Sequence, residues 1–233
     1  KAIYEKISLD FPDQKALWLD IAQVAWGERD YDAYYEYLLK AFASPQVNID
    51  LKIKHTFNYF SLLDKKPVFN EQAIALSKLI TEVHPKEAKG FALYGDILYN
   101  TGNLKKAKIE YERSLDHHQG VFTVWNQLMT IQFELRDYKE MIITSDRALS
   151  FFPNQGVLYY LKSLSLIQLK QFSDATPVLK KGIELTLNNE LLKAELWANL
   201  GEVHYRLQDY PRSDSAFNIS LEIDSGNSVI LNN

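Results

Sequence analysis

Apolar residues recur along the chain at i, i+3 or i+4 and i+7, as across 109–114 and 196–203, and short polar clusters such as Thr101-Gly102-Asn103 interrupt them. That spacing puts one apolar stripe on each helix and makes the interruptions turns. The helical segments come in pairs, and the pairs are alike. Positions filled by Trp197, Leu200, Gly201, Tyr205, Tyr210, Phe217 and Leu221 are met again upstream with a period of about 34 residues. A helix pair cannot bury both of its faces alone, so the pattern predicts stacked pairs with a continuous core between neighbours. The predicted fold class is all-α.

With 194–227 as reference, residues 122–155 place Trp125, Leu128, Tyr138, Ala148 and Pro153 on the same positions, and 88–121 place Phe91, Gly95, Gly102, Ala107 and Tyr111 there. Residues 156–193 contribute Tyr159, Phe172, Ala175 and Leu179, and 15–48 contribute Trp18, Ile21, Tyr31, Leu38 and Ala41. The copy at 54–87 keeps Phe57, Phe60, Ala73 and Pro85, with 65–70 as its expected inter-helix turn. Partial units at 1–14 and 228–233 lie at the ends, and the chain reads as an excerpt of a longer protein. The pattern W-x2-L-G-x2-Y…A-x3-F…P resembles the tetratricopeptide repeat. The resemblance implies one solenoid over 1–233, a right-handed superhelix of antiparallel helix pairs whose first helices line a concave groove. It also implies a role as a scaffold binding a protein or peptide partner.

Carried onto this sequence, the groove-facing positions of that family include a ladder of Trp26, Tyr99, Phe133, Ile167 and Tyr205 near the ends of the first helices. Leu62, Asn58, Asn126, Tyr160 and Asn199 add to it from neighbouring positions. Aromatic side chains supply area to bury, and the amides can bond the main chain of an extended peptide or a helix. The same aromatics can instead pack against the next pair. Two other roles remain beside the binding scaffold: a self-associating array of stacked chains, and the sensor or docking arm of a longer regulatory enzyme.

Charge and composition remove several function classes. The chain has 26 basic and 30 acidic residues, a net charge of −4 and no cysteine. Its basic residues are scattered rather than gathered in a stripe, so nucleic acid is not an expected partner. Without cysteine there is no disulfide, thiol nucleophile or thiolate zinc site, and the compartment stays open between cytoplasm and cell envelope. No run of about 20 apolar residues is present, so no membrane insertion is expected, and the N-terminus is not signal-like. His117 and His118 are adjacent and point about 100° apart on a helix, which does not converge on a metal. No phosphate loop, nucleophile elbow or H-E-x-x-H occurs. No catalysis, cofactor or metal is expected. The Lys and Asn set that some relatives use to clamp a carboxylate is incomplete, with Lys89, Asn100 and Asn126 nearest to it.

Local irregularities carry further expectations. Insertions at 49–53 and 190–193 each precede a first helix, and for 190–193 the good propensity of Glu-Leu-Leu-Lys and a cap at Asn188 or Asn189 predict an added turn. Met129 and Met141 sit where other pairs place small residues, which predicts a looser pair in 122–155. Pro211 suits a first helical turn, and with Ser173 as cap Pro177 falls near the fourth position of its helix.

Overall fold

Every element of the computed structural model, which describes residues 15–224, is helical. The helices fall into two compact halves, one through Gln119 and the other from Gly120.

In the first half, α1 (Leu17–Gly27) packs on α2 (Tyr31–Phe42). Next, α3 (Ile49–Phe57) runs into a 3-10 turn at Asn58–Ser61 and returns as α4 (Pro67–Val83). Then α5 (Ala88–Asn100) packs on α6 (Leu104–His117). Stacking joins α2 to α4 and α4 to α5 around a core that includes Ile21, Tyr34, Leu38, Tyr59, Leu76 and Ile97. The second half repeats the plan with α7 (Phe122–Glu134) and α8 (Tyr138–Phe151), α9 (Gly156–Gln168) and α10 (Phe172–Leu185), and α11 (Glu190–Arg206) and α12 (Tyr210–Ile223). There α8 stacks on α9 and α10 on α11, while the first helices α7, α9 and α11 neighbour one another in order. Each half is thus a short solenoid of antiparallel helix pairs.

One turn design joins most of the pairs. The residue three places beyond each ladder position is left-handed: Arg29 (φ 60°), Gly102 (76°), Arg136 (57°), Lys170 (60°) and Gln208 (61°). The next N–H then reaches back five residues, as in Asn103 to the Leu98 carbonyl at 2.8 Å and Asp209 to that of His204 at 2.9 Å. This closure satisfies carbonyls that the helix end would otherwise leave open. Only Gly102 adopts the conformation without Cβ strain; at the other four positions it costs about 1 kcal/mol each.

Small residues let paired helices approach. An added Cβ on Gly95 would lie 2.9 Å from the Tyr111 ring, and one on Gly201 would lie 2.7 Å from Phe217. At the latter approach Ser213 Oγ donates to the Gly201 carbonyl at 2.9 Å. Gly201→Ala should therefore destabilise the chain by about 1–3 kcal/mol in urea unfolding, the strain outweighing the gain of about 1 kcal/mol in helix propensity. A stabilised variant would show that the ring yields freely.

The methionine pair differs as its side chains dictate. Met129 and Met141 are both fully buried, and α7 and α8 approach each other less closely than α5 and α6, α9 and α10 or α11 and α12. Both insertions are helical. Asn189 Oδ1 accepts from Leu192 N at 3.0 Å to start α11, and Asn48 Oδ1 accepts from Asp50 N at 2.7 Å to start α3.

Two local expectations shift. The turn expected at 65–70 closes earlier because Pro67, with its φ already set, opens α4, and Asn70 Oδ1 reaches back to accept from Asp64 N at 3.2 Å. Ser173 is not a cap: α10 starts at Phe172, leaving Pro177 inside the helix. Pro211 does take the first turn of α12. The partial units at 1–14 and 228–233 lie outside the described residues.

Candidate partner-binding surface

In the first half, the sequence-predicted groove residues are largely held by their own neighbours. Trp26, at the end of α1, sits edge-on to Tyr31 with ring centroids 5.4 Å apart and tilted on Tyr34 at 5.1 Å. Tyr34 is fully buried, and its hydroxyl donates to the His55 carbonyl at 2.8 Å and accepts from Asn58 Nδ2 at 2.9 Å. Asn58 therefore spends a donor inside the protein. Leu62 belongs to the core, while Tyr99 is half-buried at the end of α5. On α5, half-buried Asp96 accepts from the Tyr111 hydroxyl at 2.5 Å. Burial raises the Asp96 carboxyl above the usual range, and the Tyr111 bond opposes that rise.

The second half holds the more open set. Asn126 and Phe133 lie half-buried on α7, and Phe133 meets Tyr138 edge-on at 5.7 Å. Tyr205, at the end of α11, is 55% exposed and meets Tyr210 edge-on at 5.7 Å. The ladder aromatic thus braces the first residue of its partner helix at Trp26, Phe133 and Tyr205 alike. Ile167 instead joins the core with Leu166 and Leu200.

Between α9 and α11 two candidates come together. The Tyr160 hydroxyl lies against the Asn199 amide: burial raises the Tyr160 pKa, Glu195 adds to the rise, and Asn199 opposes it. Asn199 is 6% exposed, and its Nδ2 meets the Tyr160 hydroxyl without a well-formed hydrogen bond. An unsatisfied buried donor of this kind costs about 1–3 kcal/mol, and a rotamer change toward the surface would relieve it.

The chain's most unusual polar cluster lies away from these residues. Lys52 on α3 is fully buried and donates from Nζ to the carbonyls of Phe42 and Ser44 and to His84 Nε2, each at 2.8 Å. Two of those acceptors lie at the C-terminal end of α2, where a cation is favoured by the helix dipole. Burial draws the Lys52 pKa down to about 8. Nothing in the local sequence marks this contact, since Lys52 and His84 lie in different helical segments. Lys89, the nearest candidate for a carboxylate clamp, is paired with Asp50 at 2.6 Å.

Among the described residues no group of three His, Cys, Asp or Glu side chains could hold a metal ion, and no helix is long and apolar enough to cross a membrane.

The α5–α6 pair also matches a known repeat family. Residues 88–116 match the family model of the tetratricopeptide repeat. The chain carries a tetratricopeptide repeat at 88–116 and has the all-α helix-pair fold of tetratricopeptide proteins. Solved tetratricopeptide proteins share the helix-pair fold across most of the chain. MamA from Desulfovibrio magneticus RS-1 is 17% identical with a TM-score of 0.62, over 76% of this chain and 97% of that one. YrrB, described as a tetratricopeptide protein with an unusual peptide-binding site, is 15% identical with a TM-score of 0.64, over 78% and 89%. The C-terminal part of a tetratricopeptide protein from Cytophaga hutchinsonii is 17% identical with a TM-score of 0.68, over 99% and 92%. No curated protein sequence matches the chain. At these identities the likeness is one of fold, and the surfaces of this repeat protein must speak for its partner.

Proposed function

We propose that this tetratricopeptide array is a protein-interaction scaffold that captures an extended or helical partner segment on the face formed by α7, α9 and α11. The observation carrying the reading is the meeting of Tyr160 and Asn199 between two first helices, with the buried Asn199 amide only loosely met by the Tyr160 hydroxyl. A partner carbonyl would supply its acceptor, and Tyr205 and Asn126 extend the same set of first helices with exposed or half-exposed groups. Such a face offers aromatic anchors with amides between them, the chemistry of main-chain recognition. Leu62 and Ile167 contribute to packing alone in this reading, and Trp26, Asn58 and Tyr99 hold the first half together. The reading assigns the chain no catalytic step and no cofactor.

The test begins with a peptide selected by display against the full chain. Asn126→Ala combined with Tyr205→Ala should weaken that peptide by at least about tenfold, roughly 1.4 kcal/mol. The urea midpoint should move by no more than the loss of one edge-on aromatic pair, about 1 kcal/mol. Unchanged affinity alongside a large loss of stability would assign these residues to packing and sink the proposal.

A further inference from the structure

The first helices of several pairs carry an aromatic residue near their starts, and the chain itself shows how that ring is normally covered. Trp18 is stacked by Tyr37 at 5.8 Å, with Lys40 Nζ 4.5 Å from its centroid. Phe91 is stacked by His117 at 5.2 Å. Trp125 is stacked by Phe151 at 6.0 Å, with Arg147 at 5.3 Å, and is fully buried. In each case the cover comes from the second helix of the same pair. The last pair breaks the rule. Trp197 has no ring or cation over it among the described residues, because α12 presents Ile219 where α8 presents Arg147.

The space left over Trp197 is a cavity of about 410 Å³, with α11 contributing Trp197, Leu200 and His204, flanked by α10 and α12. Its volume is within the range of ligand-sized clefts. Three rim charges decide what it would accept. Glu184 is paired with Lys181 at 2.9 Å, and Arg212 with Asp209 at 2.8 Å. Lys180 makes no ion pair among the described residues and leaves one uncompensated positive charge on the rim. His204 is 6% exposed, and its Nδ1 faces Asp209 Oδ2 at 3.8 Å.

We infer that this cavity is a second binding site, separate from the α7, α9 and α11 face, for a partner segment that places an aromatic side chain on Trp197 beside an acidic residue. The aromatic ring replaces the cover that Phe151 gives Trp125, and the carboxylate answers Lys180. A basic segment is disfavoured by the same rim, since the uncompensated Lys180 would face it.

The test uses the full chain and a capped pentapeptide with one phenylalanine among four glutamates, with a lysine-flanked counterpart as control. Indole N–H resonances, assigned by single Trp→Phe variants, report which tryptophan responds. The Trp197 signal should shift saturably with the glutamate peptide and not with the lysine peptide. Lys180→Glu, at an exposed position, should weaken the response roughly tenfold. Ile219→Arg, which installs over Trp197 the cation that Arg147 gives Trp125, should abolish it while the chain stays folded. Tyr160→Ala, on the other face, should leave it intact. Equal binding of both peptides, a response confined to Trp18, Trp26 or Trp125, or full binding by Ile219→Arg would overturn the inference. Should Ile219→Arg fail to fold, Lys180→Glu and the peptide pair decide the matter on their own.

Discussion

Replacing Lys52 with methionine is expected to destabilise the first half by about 3 kcal/mol, one of the two largest effects predicted for the chain. Methionine keeps most of the side-chain volume, so the loss isolates the ammonium group. The Phe42 and Ser44 carbonyls each accept from Nζ at 2.8 Å, and only the Ser44 carbonyl keeps a further donor, the Val47 N–H at 3.3 Å. A cation is also removed from the end of α2, where the helix dipole favours it. Offsetting these is the desolvation that already draws the lysine pKa down to about 8. The balance still favours lysine, because three aligned acceptors surround one buried donor group. Urea unfolding of the full chain measures the difference. A variant as stable as the parent would show that the ammonium merely breaks even with its burial.

The second large effect is acid lability below about pH 6.5, the ordinary histidine pKa. Burial lowers the pKa of His55, His84 and His204 alike. The sign follows directly. In the unfolded chain these rings take up protons near pH 6.5, whereas the folded chain resists doing so until lower pH. The unfolded state thus binds more protons in that interval, and stability falls as pH falls through it. With three rings involved the slope reaches at most about 4 kcal/mol per pH unit, from roughly 1.4 kcal/mol per proton.

His84 has the most specific cause after its own burial. Its Nε2 accepts from Lys52 at 2.8 Å, so protonation would set two cations against each other. Glu87 and the Val47 main chain favour the charged ring, while Lys89 adds to Lys52 in opposing it. For His55 the opposing cation is Lys54, with Asp20 on the other side. For His204, Lys180 and Arg212 oppose protonation and Asp209 favours it. Asp96 acts in the contrary direction at lower pH. Its raised carboxyl takes a proton in the folded chain first, which partly offsets the loss there. Unfolding free energies at pH 7.5, 6.5 and 5.5 test the account, and Lys52→Met should flatten the dependence by removing the opposition to His84. A flat profile in the parent would contradict it.

The two effects show where the sequence is informative and where it is not. Helix identity follows from periodicity, and short-range chemistry follows from neighbours. A cap at Asn188 or Asn189 could be assigned because a cap needs only the residues that follow it, and the structure uses Asn189. Met129 and Met141 predicted a loose pair because a fixed period puts them at the same contact. The Lys52 and His84 contact has no such signature: it joins α3 to the end of α4 through a bend at Asn58–Ser61 that no local rule positions.

The candidate groove is legible only in part for a related reason. The period places Trp26, Phe133 and Tyr205 together, yet not whether each ring faces a partner or braces the next helix. The structure shows them touching Tyr31, Tyr138 and Tyr210. Asn58 is likewise drawn inward by Tyr34, a residue 24 positions away. Left-handed turns at Arg29, Arg136, Lys170 and Gln208 escape notice because only Gly102 announces the geometry by its side chain. Trp197 is recognisable as a repeat position, whereas its open ring becomes evident only beside the covered Trp18 and Trp125.

The central claim, capture of a partner segment by first helices of the second half, is tested most directly by mapping the selected peptide onto the full chain through backbone amide shifts. The account predicts perturbations concentrated on α7, α9 and α11, including Asn126, Tyr160, Asn199 and Tyr205. Perturbations confined to α8, α10 and α12, with those four residues silent, would contradict it.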